Sequence, residues 1–175
     1  MKLLIGLVGR KRSGKDTLAS FVQDVYPEFT IMSFADPLKQ ACKHAYHLTD
    51  DQLEETKDIV DPRWGMSPRD MMKSIGTKYF RTEDPDQWTK NLGFRMSGME
   101  HVIVSDVRFQ NEALFIKENG GVLVHISRDL ESNDDDHVSE KTTDEIVCEY
   151  SIRNEGSLEA LMDKSVGLMS TIMGK

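Results

Sequence analysis

The amino-acid sequence predicts an α/β fold, a three-layer sandwich in which a mainly parallel five-stranded sheet carries helices on both faces. Three observations lead to it. Five strand-like apolar runs recur along the chain, helical patterns separate them, and a basic loop flanked by glycines joins the first run directly to the first helix.

The first run, Lys2 to Val8, is too short to span a bilayer and lacks a signal-peptide cleavage region, so it reads as a buried strand. The loop Gly9 to Thr17 follows, then a helix-like run with Leu18, Phe21, Val22 and Val25. A second strand is expected over Phe29 to Phe34. Asp36-Pro37, Ser67-Pro68 and Asp84-Pro85 each place a capping residue before a proline at the first helical position. They open a helical region expected over about 36–98. The third strand is His101 to Asp106, and the helix with Leu114, Phe115 and Ile116 stops at Gly120-Gly121, which offers a left-handed cap. Val122 to Ile126 and Glu145 to Ile152 complete the five strands. Between them, the acidic run Asp134-Asp135-Asp136 is either a solvated loop or part of a mobile lid over about 128–142.

With 175 residues the chain is of a size for one domain with its own core. Its 30 acidic against 22 basic residues, a net charge of -8, would repel a nucleic-acid backbone. A role with nucleotides therefore concerns small ones held at a locally basic site. Cys42 and Cys148 are too few for a disulfide framework and have no metal-ligand spacing around them, so a reduced, cytosolic protein is expected.

The strongest chemical signal is Gly9-Arg10-Lys11-Arg12-Ser13-Gly14-Lys15-Asp16-Thr17, set between a strand and a helix as a P-loop requires. Gly9 and Gly14 permit backbone geometries that wrap N–H groups around a phosphate. Lys15 brings a compact positive charge to the β and γ oxygens of ATP, and the helix N-terminus points at the same anion. Asp16 stands where Ser or Thr normally offers a hydroxyl to Mg²⁺, and Thr17 comes one residue late, rotated by about 100°. Either residue is a candidate Mg²⁺ ligand, and Asp16 also suits the acceptor or the helix dipole.

The run Val102-Ile103-Val104-Ser105-Asp106 ends a buried-type strand in a carboxylate, where open α/β sheets gather their ligands. Asp106 is thus a second candidate for the metal, of the Walker B kind. Arg108 follows it. Arg128 ends the next strand, placed to reach a transferring phosphoryl group or to form a surface ion pair. For the acceptor phosphate, Arg69, one residue inside a proline-started helix, is the best candidate together with Arg81. Trp64, Tyr79, Phe80 and Trp88 fall in the same third of the chain and either stack a base or build a core.

Taken together, these residues resemble the deoxynucleoside monophosphate kinases of T-even and related phages, a family of P-loop kinases. The resemblance runs through Arg12 to Thr17 with the unusual aspartate, Ala35 to Lys39, Ile75-Gly76-Thr77 with Trp88, Val104 to Arg108, His125 to Arg128, Ser132 to Asp134 with His137, and Asn154 to Glu159. It implies an enzyme that uses ATP and Mg²⁺ to phosphorylate deoxynucleoside monophosphates, without a nucleic-acid or membrane partner, in the cytoplasm (that of the host if the protein is of phage origin), with a homodimer common in the family. It places Asp36 and Lys39 where the acceptor enters, Arg69 in the acceptor helix, and Trp88 and Arg108 among the substrate contacts. Arg128 with Ser132 to His137 would form the lid, and Asn154 to Gly156 would support the ATP adenine. The T-even enzyme carries a long insertion between the regions of Ala35 and Arg69 that is absent here, so base specificity rests on this chain's own residues. Two alternatives stay open: a P-loop kinase for another phosphorylated acceptor, since phosphomevalonate kinases share the Gly-Lys-Asp pattern, and a nucleotide-binding regulator without turnover.

Overall fold

A computed structural model describes residues 2–128, 143 and 145–174. The expected lid residues 129–142, with the acidic run and His137, lie outside the described residues. The chain forms two compact units, one of Met1–Ser33 with Met96–Lys175, the other of Phe34–Arg95.

The first unit holds all five strands: β1 (Leu3–Val8), β2 (Thr30–Met32), β3 (His101–Val107), β4 (Val122–Ser127) and β5 (Tyr150–Arg153). They lie in the order β2-β3-β1-β4-β5, and every pairing is parallel. From β1 the chain goes to one side of the sheet, from β3 to the other, so the carboxyl end of β1 lies at a topological switch point. On one face, α1 (Lys15–Val25) packs Leu18, Ala19 and Val22 with Ile5, Leu7, Ile103, Val124 and Ile126 of the sheet. Leu161 and Met169 of the C-terminal helix (Leu158–Met173) join the same core. On the other face the helix Gln110–Glu118 approaches closely because Gly6 has no side chain: a Cβ there would meet Leu123 at 2.7 Å and Ile116 at 3.2 Å.

Expected boundaries move by one residue at several strand ends and by more at two strands, β2, which ends at Met32 and not Phe34, and the last. The last strand begins at Tyr150, not Glu145, because side chains take over the ladder's role before it: Lys117 donates to Val147 O, and Leu123 N–H donates to the Glu149 carboxylate. Phe29 precedes β2, held in a turn by its N–H to Tyr26 O and 1% exposed. The Gly120-Gly121 stop is observed as a Schellman cap. Gly120 has φ +75°, its N–H reaches Lys117 O, and Gly121 N–H reaches Ile116 O.

The second unit is built of helices α2 (Asp36–Tyr46), α3 (Asp50–Glu54) and α4 (Pro68–Lys73), a π-helical stretch Ser74–Phe80, the single turn α5 (Arg81–Glu83), and α6 (Gln87–Arg95). With these in sequence, the helix of Gln110–Glu118 is α7 and the C-terminal helix α8. Cys42, Leu48, Leu53 and Met71 form the unit's own small core. The proline-marked starts differ in chemistry. Ser67 caps α4 through a bond from Asp70 N–H, whereas α2 has Asp36 inside its first turn with no side-chain cap. Asp84 accepts from Asp86 N–H in a turn that precedes α6 by two residues.

Candidate active site

The P-loop expected at Gly9 to Thr17 is present at the carboxyl end of β1. Gly9 has φ +156°, and a Cβ on it would lie 2.3 Å from Ile126 O and 2.8 Å from Ser13 Oγ. Gly14, at φ +103°, is the N-cap of α1, and a Cβ there would strike Asn154 Nδ2 at 2.5 Å. Both positions therefore require glycine for conformation and for space. Arg12 adopts φ +63°, an uncommon geometry for a residue with a side chain. No side chain caps α1, so its first N–H groups remain directed at whatever anion the loop holds.

Lys15 is 6% exposed, and its Nζ donates to Gly9 O at 2.8 Å and Arg10 O at 2.7 Å. Folded over the loop this way, the ammonium replaces part of its hydration with carbonyl dipoles and is held beside the loop. Ser13 Oγ is buried without a hydrogen-bond partner. Asn154, 141 positions away in sequence, donates from Nδ2 to Ser13 O at 2.9 Å, and its N–H donates to Ser127 O at 2.7 Å. It thereby ties the loop after β5 to the P-loop and to the end of β4.

A cavity of about 250 Å³ opens here, lined by Arg12, Gly14, Lys15, Asp16 and Thr17, by Arg128, and by Asn154, Gly156, Ser157, Leu158 and Leu161. The structure thus brings together nearly all the residues expected to hold the donor, with Arg128 among them. Asp106 does not line this cavity. It sits on the neighbouring strand, where Gly6 pairs with Val104 but Val8 pairs with Val107, so β3 carries one extra residue around Ser105-Asp106. A bulge of this kind re-aims a side chain beside a site, and no local pattern announced it.

Arg108 lies just beyond, and its backbone N–H donates to Glu112 Oε2 at 2.8 Å; Phe109 N–H reaches the same oxygen at 3.1 Å. Glu112, 2% exposed, went unnoticed as a site residue. Its signal was an acid three residues after the last extended residue, half of a capping box that the phenylalanine cannot complete. Among the described residues no group of three or more His, Cys, Asp or Glu converges on a point, so these residues alone build no metal cage.

In the helical unit, three of the candidate acceptor residues are already in ion pairs. Asp36 accepts from Arg95 at 3.1 Å, Lys39 meets Glu54 at 2.6 Å, and Arg69 grips Asp58 through Nε and Nη2. Sequence reasoning missed Asp58, which is eleven residues from its partner. Trp88 requires a correction. It is 6% exposed, its indole N–H donates to Gly76 O at 3.2 Å, and Phe80 packs edge-on against it, so it builds the unit's interior and offers no free face to a base. Trp64, 43% exposed, stands against Tyr46 and donates to Tyr46 O. Nearby Asp61 is 3% exposed and accepts from Gln52, from the Arg63 guanidinium and from Arg63 N–H, which hold its carboxyl far below the usual carboxylate range.

No helix among the described residues is long and apolar enough to cross a membrane. The deoxynucleotide monophosphate kinase family matches this chain over residues 3–64 and 53–165. A protein of Acanthamoeba polyphaga mimivirus, assigned by name to the same kinases, is 43% identical over 159 residues, which cover 79% of this chain and 80% of that one. Among solved structures, shikimate kinase from Aquifex aeolicus is similar with a TM-score of 0.51 at 16% identity, covering 98% of this chain and 99% of the other. Dephospho-CoA kinase from Campylobacter jejuni has a TM-score of 0.53 at 13% identity, covering 97% and 96%. At such identities these two likenesses show a shared kinase fold and nothing about substrate. The match to the family over most of the chain, on a parallel sheet whose first loop is a P-loop, makes this protein a member of the deoxynucleotide monophosphate kinase family and hence a phosphotransferase.

Proposed function

We propose that the protein transfers the γ-phosphoryl group of ATP to the phosphate of a deoxynucleoside monophosphate, yielding the diphosphate and ADP and feeding deoxynucleotide supply for DNA synthesis in the host cytoplasm. The observation that carries this reading is the cavity after β1, in which Lys15, Arg12 and Arg128 meet the N-terminus of α1 at Gly14. Such a cradle fits a triphosphate.

In this reading Lys15 and the loop N–H groups take the β and γ phosphates, and the buried Ser13 hydroxyl gains the partner it lacks. Asn154 and Gly156 support the adenine side of the cavity. Arg128 neutralises charge on the group in flight, a contribution of about 10³–10⁵ in rate where an arginine plays that part. The acceptor needs no general base, since a phosphate monoester loses its second proton at a pKa of about 6 and attacks already ionised. Asp16 then serves position and charge and does not abstract a proton. Mg²⁺ would be held by Asp16 or Thr17, with Asp106 a further candidate ligand, and would supply charge neutralisation to the transferring phosphate. That sparse donor set suits an ion that keeps water and phosphate oxygens as its remaining ligands. The helical unit supplies the acceptor contacts: Arg69, Lys39 and Asp36 exchange a protein partner for the incoming nucleotide.

The test is a panel of all common deoxynucleoside and ribonucleoside monophosphates with phosphomevalonate alongside, assayed for ADP release with and without magnesium. Magnesium-dependent release with deoxynucleoside monophosphates supports the reading. Release with phosphomevalonate alone, or ATP binding without turnover on any acceptor, overturns it.

A further inference from the structure

From Pro68 to Glu83 the chain forms one helical rod wound in three modes: α4, the π stretch Ser74–Phe80, and α5. An α-helix advances about 100° per residue, so Arg69, Lys73, Thr77 and Arg81, spaced by four, would drift by about 40° at each step and leave Arg81 about 120° from Arg69. A π turn takes one residue more than an α turn, and the stretch therefore removes about one residue's rotation, bringing Arg81 to within about 20° of Arg69. Pro68, Met71 and Gly76 are buried, Thr77 and Lys78 are exposed, and Arg69, Lys73 and Arg81 are half-buried, as are Met72, Ser74, Ile75 and Phe80. The rod's own acids, Asp70 and Glu83, fall off that line.

Three contacts hold the register. Gly76 is buried against α2, and a Cβ there would lie 2.4 Å from Leu38 Cδ2. Its carbonyl accepts from the Trp88 indole, with Phe80 packed edge-on to the same ring at 5.4 Å. At the other end the Arg69 N–H donates to Lys57 O at 2.9 Å, a backbone tie that stays when its side chain leaves Asp58.

We infer that the π stretch is a register device that aligns Arg69, Lys73 and Arg81 into a cationic stripe for the dianionic phosphate of the acceptor. Lys73 and Arg81 are binding residues for that phosphate, and Trp88 is a positioning residue that holds the winding. The inference rests on the acceptor reading given above. A chain of net charge -8 repels a nucleoside monophosphate as a whole, so a local line of cations, Arg69 among them shared with Asp58, is what lets that anion approach.

The experiment measures acceptor KM and its dependence on salt at saturating ATP, with any nucleoside monophosphate that the wild-type protein phosphorylates. Lys73→Ala and Arg81→Ala should each raise acceptor KM about tenfold and flatten its salt dependence, while Lys78→Ala, the same charge change off the stripe, stays within about twofold. Trp88→Phe keeps an aromatic ring, smaller than the indole, but removes the donor, and should raise acceptor KM while leaving the KM for ATP and the helical circular dichroism at wild-type values. Unchanged acceptor KM in Lys73→Ala and Arg81→Ala, or an equal effect in Lys78→Ala, overturns the stripe; unchanged KM in Trp88→Phe overturns the positioning role. Absence of turnover on every nucleoside monophosphate would instead overturn the acceptor reading, and the stripe with it.

Discussion

Replacing Gly9 by alanine should damage both stability and catalysis, by amounts that follow from one contact. The added Cβ would lie 2.3 Å from Ile126 O, more than 1 Å inside ordinary contact at 3.4 Å, and 2.8 Å from Ser13 Oγ. The serine can turn away, but the carbonyl belongs to β4, whose ladder with β1 pairs Val8 with His125 one residue earlier, so either the strand end or the P-loop must shift. Overpacking of this kind costs about 1–3 kcal/mol. At about 2–4 °C per kcal/mol for a chain of this length, the thermal midpoint should fall by roughly 2–12 °C. A displacement of about 1 Å in a positioning loop lowers kcat/KM for ATP by about 100-fold. Gly120→Ala is the matched comparison. It also has a left-handed φ, +75°, but nothing lies within 4 Å of its added carbon. It should cost about 1 kcal/mol from conformation alone, with unchanged kinetics. Thermal denaturation and a coupled assay of ADP release on both variants measure the two effects. Wild-type kcat/KM in Gly9→Ala, or equal kinetic loss in Gly120→Ala, would refute the reasoning that close packing against β4 shapes the phosphate cradle.

Lys15→Ala should reduce kcat/KM by at least about 100-fold by removing the ammonium over the loop, and Arg128→Ala should lower kcat with little change in the KM for ATP; full activity in either variant rejects its assigned role. Asp16→Asn should alter the magnesium dependence without moving the pH optimum, and a large pH shift with an unchanged magnesium response would make Asp16 a proton acceptor instead. The Asp61 carboxyl is held below its ordinary pKa mainly by the Arg63 guanidinium, so its contribution to stability is present in full above about pH 4 and fades as the pH falls toward the folded value. Asp61→Asn should therefore lower the thermal midpoint at neutral pH, and the gap to wild type should narrow below pH 4; a gap independent of pH would assign the loss to packing alone.

Much of the donor site was legible because its cause is local. Gly9, Gly14 and Lys15 stand at the spacing that a strand, a turn and a helix N-terminus impose on a phosphate loop, and the strand to which Asp106 belongs reads from a short apolar run. The Gly120-Gly121 stop was equally readable, since only a left-handed residue completes that cap. The acceptor region resisted such reading. Whether Trp88 stacks a base or fills a core depends on which carbonyl its indole reaches, and that carbonyl belongs to Gly76, in a different turn of helix. Arg69 carries the same sequence signal whether or not Asp58 holds it. The π winding of Ser74–Phe80 has no periodic signature of its own, because it is a small rotation stabilised by neighbours on other helices.

By itself, then, the sequence determined the alternation of strands and helices, the phosphate loop after β1 and the closing of α7 at its glycine pair, each a consequence of steric and hydrogen-bonding rules acting within a few residues. Only the tertiary structure decided which distant groups meet. Asn154 reaches Ser13 across 141 positions, β3 carries an extra residue beside Asp106, Asp58 engages Arg69, and the Trp88 indole finds the carbonyl of Gly76. Those choices depend on strand order, register and helix packing, which balance the free energy of the whole chain and leave no trace in any short stretch of it.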